Sequence, residues 1–313
     1  MSTLKSVCND LKSVIDRTII DDEAISDYYF FTGIGVRHNS LHLGHHTLFK
    51  TLESLSQTQP VIFQVANDQK KFLGQKPLTD SQMLRLSEGV IETLKRYSWG
   101  KLFLVDNVID RQILRPFAEK VNSKLPLKKL TDLFGQDLDL HRANYVGYQL
   151  APICLAHILW PGKTPVIITV EDQLPFFLAM RDLAYRLGLP KPQVILIRPL
   201  QDKLLRGKMS SSVPQRAIFL NCLDSLKSAI SNDNPEEDFC GQLLTRMACY
   251  SEDVCRKIPI VPGKSREYKS QIIEYLNSEL SSQPRELKRV SDILAECNHF
   301  NKSAEALIKF SSK

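Results

Sequence analysis

Two hydrophobic periodicities alternate through the first two thirds of the chain. Runs rich in aromatic or β-branched residues predict buried strands, at 28–32, 61–66, 102–105, 166–170 and 194–197. Between the first three runs, apolar residues recur with helical spacing, at 43–55 and 83–94. Strands joined by helices of this length imply crossover connections. The pattern therefore predicts an α/β fold, a Rossmann-like, doubly wound parallel sheet with helices on both faces.

The remainder of the chain lacks this alternation. Residues 110–159 contain no comparable strand run and predict a helical insertion between the two halves of the sheet. After residue 221 the pattern predicts helices only, at 223–230, 239–249, 270–280 and 285–310. We therefore expect a sheet-containing domain over 1–213, with its helical insertion at about 107–160, and an all-helical domain over 214–313.

Composition narrows the class of protein. With 313 residues, 43% of them hydrophobic and 24% charged, the chain can bury a sizeable core, which excludes disordered and low-complexity classes. Its seven cysteines are scattered without a C-x-x-C pair, which favours reduced thiols in a cytosolic compartment. The sequence shows neither a membrane-length apolar run nor a secretory or transit signal. The net charge of +6 permits a polyanionic partner without requiring one.

Two glycine-containing segments resemble phosphate-binding loops, but neither matches the full motif. Gly33-Ile34-Gly35 follows a predicted strand, but the third glycine of a dinucleotide fingerprint would fall at His38. Gly162-Lys163-Thr164 ends like a P-loop, yet His157 stands where the earlier glycine is needed. Both are interpreted as ordinary loops.

Two polar motifs carry the candidate chemistry. His42-Leu43-Gly44-His45 lies where the first strand passes into the first helix, and Lys208-Met209-Ser210-Ser211-Ser212 follows the last strand. A helix N-terminus with two imidazoles on one face suits a phosphate that gains charge, and an ammonium among hydroxyls suits a departing pyrophosphate. Each motif alone has a plain alternative, namely histidines bonded near a turn and a solvated linker. A zinc site that includes His46 lacks further ligands at metal spacing.

Together the motifs resemble the H-I-G-H and K-M-S-K-S signatures of class I aminoacyl-tRNA synthetases. A third stretch at 170–192 reads VEDQLPFFLAMRDLA and continues to GLPKP. It is similar to tryptophanyl-tRNA synthetases of the archaeal and eukaryotic branch, and the similarity spans roughly 28–219. The resemblance implies a catalytic domain over 1–213 and a tRNA- and anticodon-binding domain over 214–313. The implied activity is ATP-dependent conversion of tryptophan to its adenylate, with Mg²⁺ accompanying ATP, and transfer to tRNA(Trp).

The resemblance also implies residue roles. His42 and His45 would stabilise the α-phosphate and Lys208 the leaving pyrophosphate. The other implied ATP-binding positions are Gly33, Gly35, Gly44, Asp172, Met209, Ser210 and Ser211, and Asp172 would face either the ribose or the substrate ammonium. The implied tryptophan-binding positions are Phe31, Gln64, Gln149 and Gln173. Glutamine suits an indole pocket because its amide oxygen accepts from the indole N–H.

Three departures from the family pattern keep alternatives open. Phe31 stands where the family has tyrosine, Ile34 where it has arginine, and Gln69 where it has an acidic residue. The alternatives are a tyrosyl-tRNA synthetase, a non-catalytic synthetase-like binding or regulatory protein, and a tRNA-independent nucleotidyltransferase. The Asp-Gln-x-Pro stretch favours tryptophan.

Partners beyond the small substrates rest on weaker signals. Basic residues of the tail are candidate contacts to tRNA phosphates, at Arg256, Lys257, Lys264, Arg266, Lys269, Arg285, Lys288 and Arg289. The alternative is a charged helix surface that Glu267 and Glu286 balance. By resemblance, the protein would be a homodimer through its helical insertion, without membrane association.

Overall fold

The fold is taken from a computed structural model, which describes residues 2–36, 41–73, 78–200, 209, 217, 219–220, 269–281 and 283–296. Its centre is a sheet of seven strands, β1 (Ile15–Ile19), β2 (Tyr28–Gly35), β3 (Val61–Ala66), β4 (Leu102–Asp106), β5 (Thr164–Thr169), β6 (Gln193–Ile197) and β7 (Lys288–Arg289). The helices are α1 (Leu4–Asp10), α2 (Leu43–Ser56), α3 (Gln69–Phe72), α4 (Asp80–Leu94), α5 (Arg111–Lys124), α6 (Leu127–Phe134), α7 (Leu140–Leu159), α8 (Leu174–Leu187), α9 (Lys269–Leu280) and α10 (Val290–Glu296).

The strand order is β1-β6-β5-β2-β3-β4-β7, and every pairing is parallel except that of β1 with β6. The chain builds β2, β3 and β4 outward in one direction and then returns to add β5 and β6 on the other side of β2. The order therefore reverses beside β2, and ligands of such sheets bind at the carboxyl ends of the strands at that point. The predicted Rossmann-like, doubly wound fold is confirmed.

Alternating side chains of the sheet feed two cores. Tyr28 and Phe30 point to one core, which α2 and α4 cover, whereas Tyr29 and Phe31 point to the other, under α5, α7 and α8. All four of these aromatic side chains are fully buried. Burial on both faces explains why the inner strands read as continuous apolar runs.

The stretch between β4 and β5 is helical, as predicted, and forms α5, α6 and α7. The helices α5 and α7 pack closely on each other, with Gly147 against the backbone and side chain of α5. None of the helices in the described ranges is long and apolar enough to span a bilayer.

The tail differs from expectation at one described place. The predicted helix over 270–280 is present as α9, but the predicted helix over 285–310 was wrong at its start. Residues Lys288 and Arg289 form β7, which pairs with Phe103 and Leu104 of β4, and α10 follows. Pro284 cannot donate a ladder hydrogen bond, and the next amide, of Arg285, donates to the Lys95 carbonyl at 2.7 Å. The chain is therefore extended as it reaches the sheet edge. The predicted helices at 223–230 and 239–249 lie outside the described residues.

Candidate active site

A cavity opens at the carboxyl ends of β2, β5 and β6, beside the reversal of strand order. It is lined by residues from these strands and from the segments that follow them, Gly33, Ile34, Gly35, His42, Gly44, His45, Thr47, Leu48, Gln69, Tyr145, Gln149, Val170, Asp172, Gln173, Ile197, Arg198, Pro199, Leu200 and Met209. Both sequence motifs thus reach one cavity, the first through its histidines and the second through Met209. Lys208, Ser210 and Ser211 lie outside the described residues.

The histidine motif forms the start of α2. His42 is the N-cap residue, and its backbone N–H donates to Nδ1 of His45 at 3.2 Å. The two imidazole rings lie 3.8 Å apart between centroids, tilted by 31°. This geometry places two ring systems beside the free N–H groups of a helix N-terminus, where the helix dipole favours an anion.

Gly44 lies close to the His42 ring. A Cβ at this position would lie 3.0 Å from both Cε1 and Nδ1 of His42. A side chain at Gly44 would therefore require the His42 ring to shift by a few tenths of an ångström.

The start of α2 pairs with residues 219 and 220. The amide of Leu220 donates to the Leu41 carbonyl at 2.8 Å, and His42 forms an isolated antiparallel bridge with Phe219. Met209 is buried at the cavity wall, and its amide donates to the Leu200 carbonyl at 2.8 Å.

Asp172, Gln149 and Gln173 come from two elements, the turn after β5 and α7, and all three line the cavity. Asp172 and Gln173 lie in the 3-10 turn between β5 and α8, where Gln173 is the N-cap residue of α8. Gln149 projects from α7, and its buried Oε1 has no hydrogen-bond partner among the described residues. An unpartnered buried acceptor at a cavity wall favours a ligand with an N–H donor.

Two predicted tryptophan-binding residues do not line the cavity. The Phe31 ring is fully buried in the core under α5, α7 and α8, edge-on to Phe177 at 5.9 Å. It shares a face of β2 with Gly33 and Gly35, which line the cavity, but it lies earlier in the strand. Gln64 lies one layer below the cavity, against the backbone of Gly33. Its amide nitrogen donates to Asn107 Oδ1 and to the Tyr148 carbonyl, each at 2.9 Å.

A buried polar network continues from Gln64 along the ends of β3 and β4. Asn107 donates to Asp68 at 2.8 Å, and Asn67 donates to Asp106 at 2.9 Å. All of these side chains are fully buried. Burial raises the pKa of Asp68 to about 6, although the hydrogen bond from Asn107 acts in the opposite direction.

Sequence reasoning missed two lining residues whose side-chain types this chain lacks at Phe31 and Ile34. The hydroxyl of Tyr145 accepts from Gln69 Nε2 at 3.1 Å, and the Tyr145 ring packs edge-on to Phe176. Arg198 directly follows β6, and its guanidinium lies 3.8 Å from Asp16. Both had a signal, because Tyr145 precedes Gln149 by one helical turn and Arg198 follows a strand at its ligand-binding end.

The core side of α2 holds a second buried polar cluster, outside the cavity. His46 is fully buried, and its Nδ1 shares a 2.6 Å hydrogen bond with the Tyr97 hydroxyl. Burial lowers the pKa of His46 to about 3, with nearby Lys50 as a smaller cause. Lys50 pairs with Glu53 and, at 2.8 Å, with Glu279 of α9. This cluster therefore joins α2 to the tail.

Within the part of the chain that the structure describes, no group of histidine, cysteine and acidic side chains could hold a metal ion. Asp172 is the single carboxylate among the described lining residues. Such a donor set fits a divalent cation that arrives on a triphosphate better than a resident metal.

Comparisons with known proteins agree with the motifs. No family model matches the chain. The chain is similar to the tryptophan–tRNA ligase of Pyrobaculum calidifontis, with 29% identity over 195 residues that make up 60% of this chain and 52% of the relative. It spans about half the length of the curated relatives it matches. The predicted resemblance to tryptophanyl-tRNA synthetases is thereby confirmed at the level of sequence.

Solved structures show the fold. The tryptophanyl-tRNA synthetase of Plasmodium falciparum superposes with a TM-score of 0.66 at 19% identity, covering 82% of this chain and 79% of that one. The tyrosyl-tRNA synthetase of Aeropyrum pernix superposes with a TM-score of 0.68 at 14% identity over 99% of both chains. The fold is therefore that of class I synthetases, and it is shared between the tryptophanyl and tyrosyl branches.

Proposed function

We propose that this chain is an aminoacyl-tRNA ligase that activates tryptophan with ATP and transfers it to tRNA(Trp). The observation that carries the proposal is that His42, His45 and Met209, the neighbour of Lys208, line one cavity at the reversal of strand order. The similarity to tryptophan–tRNA ligases supports the choice of substrate.

In this proposal the chain contributes positioning and charge stabilisation. The substrate carboxylate attacks the α-phosphorus of ATP, the bond to the β-phosphate oxygen breaks, and pyrophosphate leaves with the electron pair. His42, His45 and the N-terminus of α2 would donate hydrogen bonds to the α-phosphate as its charge grows. Lys208, adjacent to Met209, would stabilise the departing pyrophosphate. Gly33, Gly35, Gly44, Ser210 and Ser211 complete the proposed ATP site.

Mg²⁺ belongs to the proposal as a companion of ATP. A bound Mg²⁺ neutralises part of the triphosphate charge. Asp172 lines the cavity and would face either the ribose or the substrate ammonium. Arg198 also lines the cavity, and its guanidinium lies 3.8 Å from Asp16.

Tryptophan is proposed to bind among the amide side chains. Gln149, Gln173 and Tyr145 line the cavity, and Tyr145 would supply the hydroxyl that is absent at Phe31. A side chain without an N–H would leave a buried acceptor such as Gln149 Oε1 unpaired, which costs about 1–3 kcal/mol. Tyrosine is the second candidate substrate because the tyrosyl enzyme of Aeropyrum pernix matches the fold over the whole chain.

The proposed assembly is a homodimer through the helical insertion. The helix α6 has no buried residue, and Leu127 at its start is 71% exposed. Leu140, at the start of α7, is 76% exposed. These two exposed leucines on the insertion support a protein contact there. The tRNA is proposed to contact basic residues of the tail, including Lys269 and Arg285.

The test of the proposed function is amino-acid-dependent exchange of pyrophosphate into ATP by the purified chain. We expect exchange with tryptophan, none above background with phenylalanine, and charging of tRNA(Trp). Lys208→Ala should lower the exchange rate by about 100-fold, since one charged stabiliser of the leaving group is lost. The matched control is Lys191→Ala, because Lys191 is an exposed lysine paired with Asp21 away from the cavity.

Each outcome of that assay has a meaning. Exchange with tyrosine in place of tryptophan would select the second candidate. A folded chain that exchanges with neither amino acid would contradict both and favour a non-catalytic synthetase-like protein.

A further inference from the structure

Both N–H groups of the Gln64 amide donate to partners within the protein. Nε2 donates to Asn107 Oδ1 and to the carbonyl of Tyr148, each at 2.9 Å. A primary amide has two N–H donors, so neither remains for another partner. The side chain is fully buried in β3, so water cannot compete for these bonds.

The direction of this chain of hydrogen bonds is fixed at both ends by groups that accept. The Tyr148 carbonyl can only accept, which turns the amide nitrogen of Gln64 towards it. At the other end, Asn107 Nδ2 donates at 2.8 Å to Oδ1 of Asp68, and an ionised carboxylate only accepts. Asn107 must therefore present its oxygen to Gln64.

The remaining oxygen of Gln64 lies beside Gly33, a residue of the cavity wall, although Gln64 itself is not among the lining residues. Gln64 Oε1 is buried and has no hydrogen-bond partner among the described residues. It lies 3.3 Å from the place that a Cβ on Gly33 would occupy, so the absence of a side chain at Gly33 leaves that place beside the oxygen unfilled. An unpaired buried acceptor is costly unless a ligand satisfies it.

We propose that Asn107 is a positioning residue that, held by Asp68, turns Gln64 so that only its oxygen is presented to the amino-acid substrate. The proposal rests on the proposed function, in which that substrate carries an indole N–H. Asn107 itself need not touch the substrate. It acts through Gln64: Asn107 accepts a hydrogen bond from one of the two amide N–H groups and so fixes which end of the amide faces Gly33.

The experiment measures the dissociation constants of tryptophan and of its benzothiophene analogue, in which sulfur replaces the indole N–H. Asn107→Asp at pH 8 places two carboxylates side by side, and their repulsion breaks the relay. We expect tryptophan to bind about tenfold more weakly and the analogue to change less than about twofold, because only tryptophan needs the acceptor.

A charge-swapped double variant provides the rescue. In Asp68→Asn/Asn107→Asp, the new amide at position 68 donates to the new carboxylate at position 107, which still accepts from Gln64. Tryptophan affinity should return to within about threefold of wild type. Asn107→Leu, which neither donates nor accepts, should repeat the loss if Asn107→Asp fails to fold. Asn122→Asp, a partly buried asparagine between α5 and α7, is the matched control.

The outcomes separate this proposal from the proposed function. Equal weakening of tryptophan and the analogue, or no recovery in the double variant, would overturn the positioning role. Wild-type protein that binds tryptophan without catalysing exchange would contradict the proposed function, while the two affinities still decide the role of Asn107. Wild-type protein that does not bind tryptophan would overturn both.

Discussion

The two sides of α2 place the same type of residue in opposite environments. His45 faces the cavity and stacks on His42, whereas His46, the next residue, is sealed in the core against Tyr97. The cavity side places the N-terminus of α2 at the cavity wall. On the core side the charged groups pair with one another, because Lys50 forms ion pairs with Glu53 and Glu279. Accessibility, more than residue type, therefore separates the histidine at the candidate site from the histidine that supports the fold.

Replacing the histidine on the cavity side should have the largest effect on activity. His45→Asn should lower the rate of tryptophan-dependent pyrophosphate exchange by about 100–1,000-fold, because a stabilising donor at the α-phosphate is lost. Its free energy of unfolding should change by less than about 1 kcal/mol, as a partly exposed residue allows. Exchange kinetics and urea unfolding measure the two quantities. An unchanged exchange rate would remove His45 from the proposed site.

Removing the cation on the core side should affect stability most. Lys50→Met leaves the carboxylates of Glu53 and Glu279 close together, with side-chain exposures of only 13% and 30%. We expect a loss of roughly 2–3 kcal/mol in the free energy of unfolding. The control is Lys95→Met, whose exposed pair with Glu92 should contribute less than about 1 kcal/mol. Equal losses would show that the cluster behaves as a surface ion pair.

Acid should reveal the buried state of His46. The folded protein excludes a proton that the unfolded chain binds below its ordinary pKa of 6.5, since burial lowers the pKa of His46 to about 3. Stability therefore falls as the pH drops from about 6.5 towards 3. Between pH 6.5 and 5, wild type should lose about 2 kcal/mol more than His46→Gln. Parallel pH dependences in the two proteins would contradict a neutral, buried His46.

The smallest expected effect concerns the link to the tail. Glu279→Gln keeps an acceptor near Lys50 and removes one charge from a partly exposed position. The free energy of unfolding should fall by about 0.5–1 kcal/mol, and the exchange rate should stay within twofold of wild type. A large loss of exchange would show that contact with α9 supports the cavity as well as the core.

The inner sheet could be predicted from sequence because its strands are buried on both faces. The predicted strand at 61–66 matches β3 residue for residue, and the other four inner runs were placed within three residues. The edge strands were missed because they lack this burial. Residues Ile15–Ile19 are partly or fully exposed and carry Asp16 and Arg17, and β7 consists of Lys288 and Arg289. Neither edge has the apolar signal that a buried strand requires.

The candidate site was less predictable than the sheet. The histidine motif and Asp172 could be found because they occupy short segments beside predicted strands. Tyr145 and Arg198 reach the cavity through the packing of α7 and the path of the chain after β6. The local sequence pattern specifies neither of these. The orientation of Gln64 depends on Asn107 and Asp68, which lie 43 and 4 positions away in sequence. Such a contact follows from the register of β3 with β4.

The short strand β7 has a consequence for the chain as a folding unit. It hydrogen-bonds to Phe103 and Leu104, the middle of a strand whose outer margin would otherwise present free amides and carbonyls to solvent. Open margins of this kind recruit strands from other molecules. A shortened chain that stops at residue 281 should therefore self-associate, even though every strand from β1 to β6 is retained.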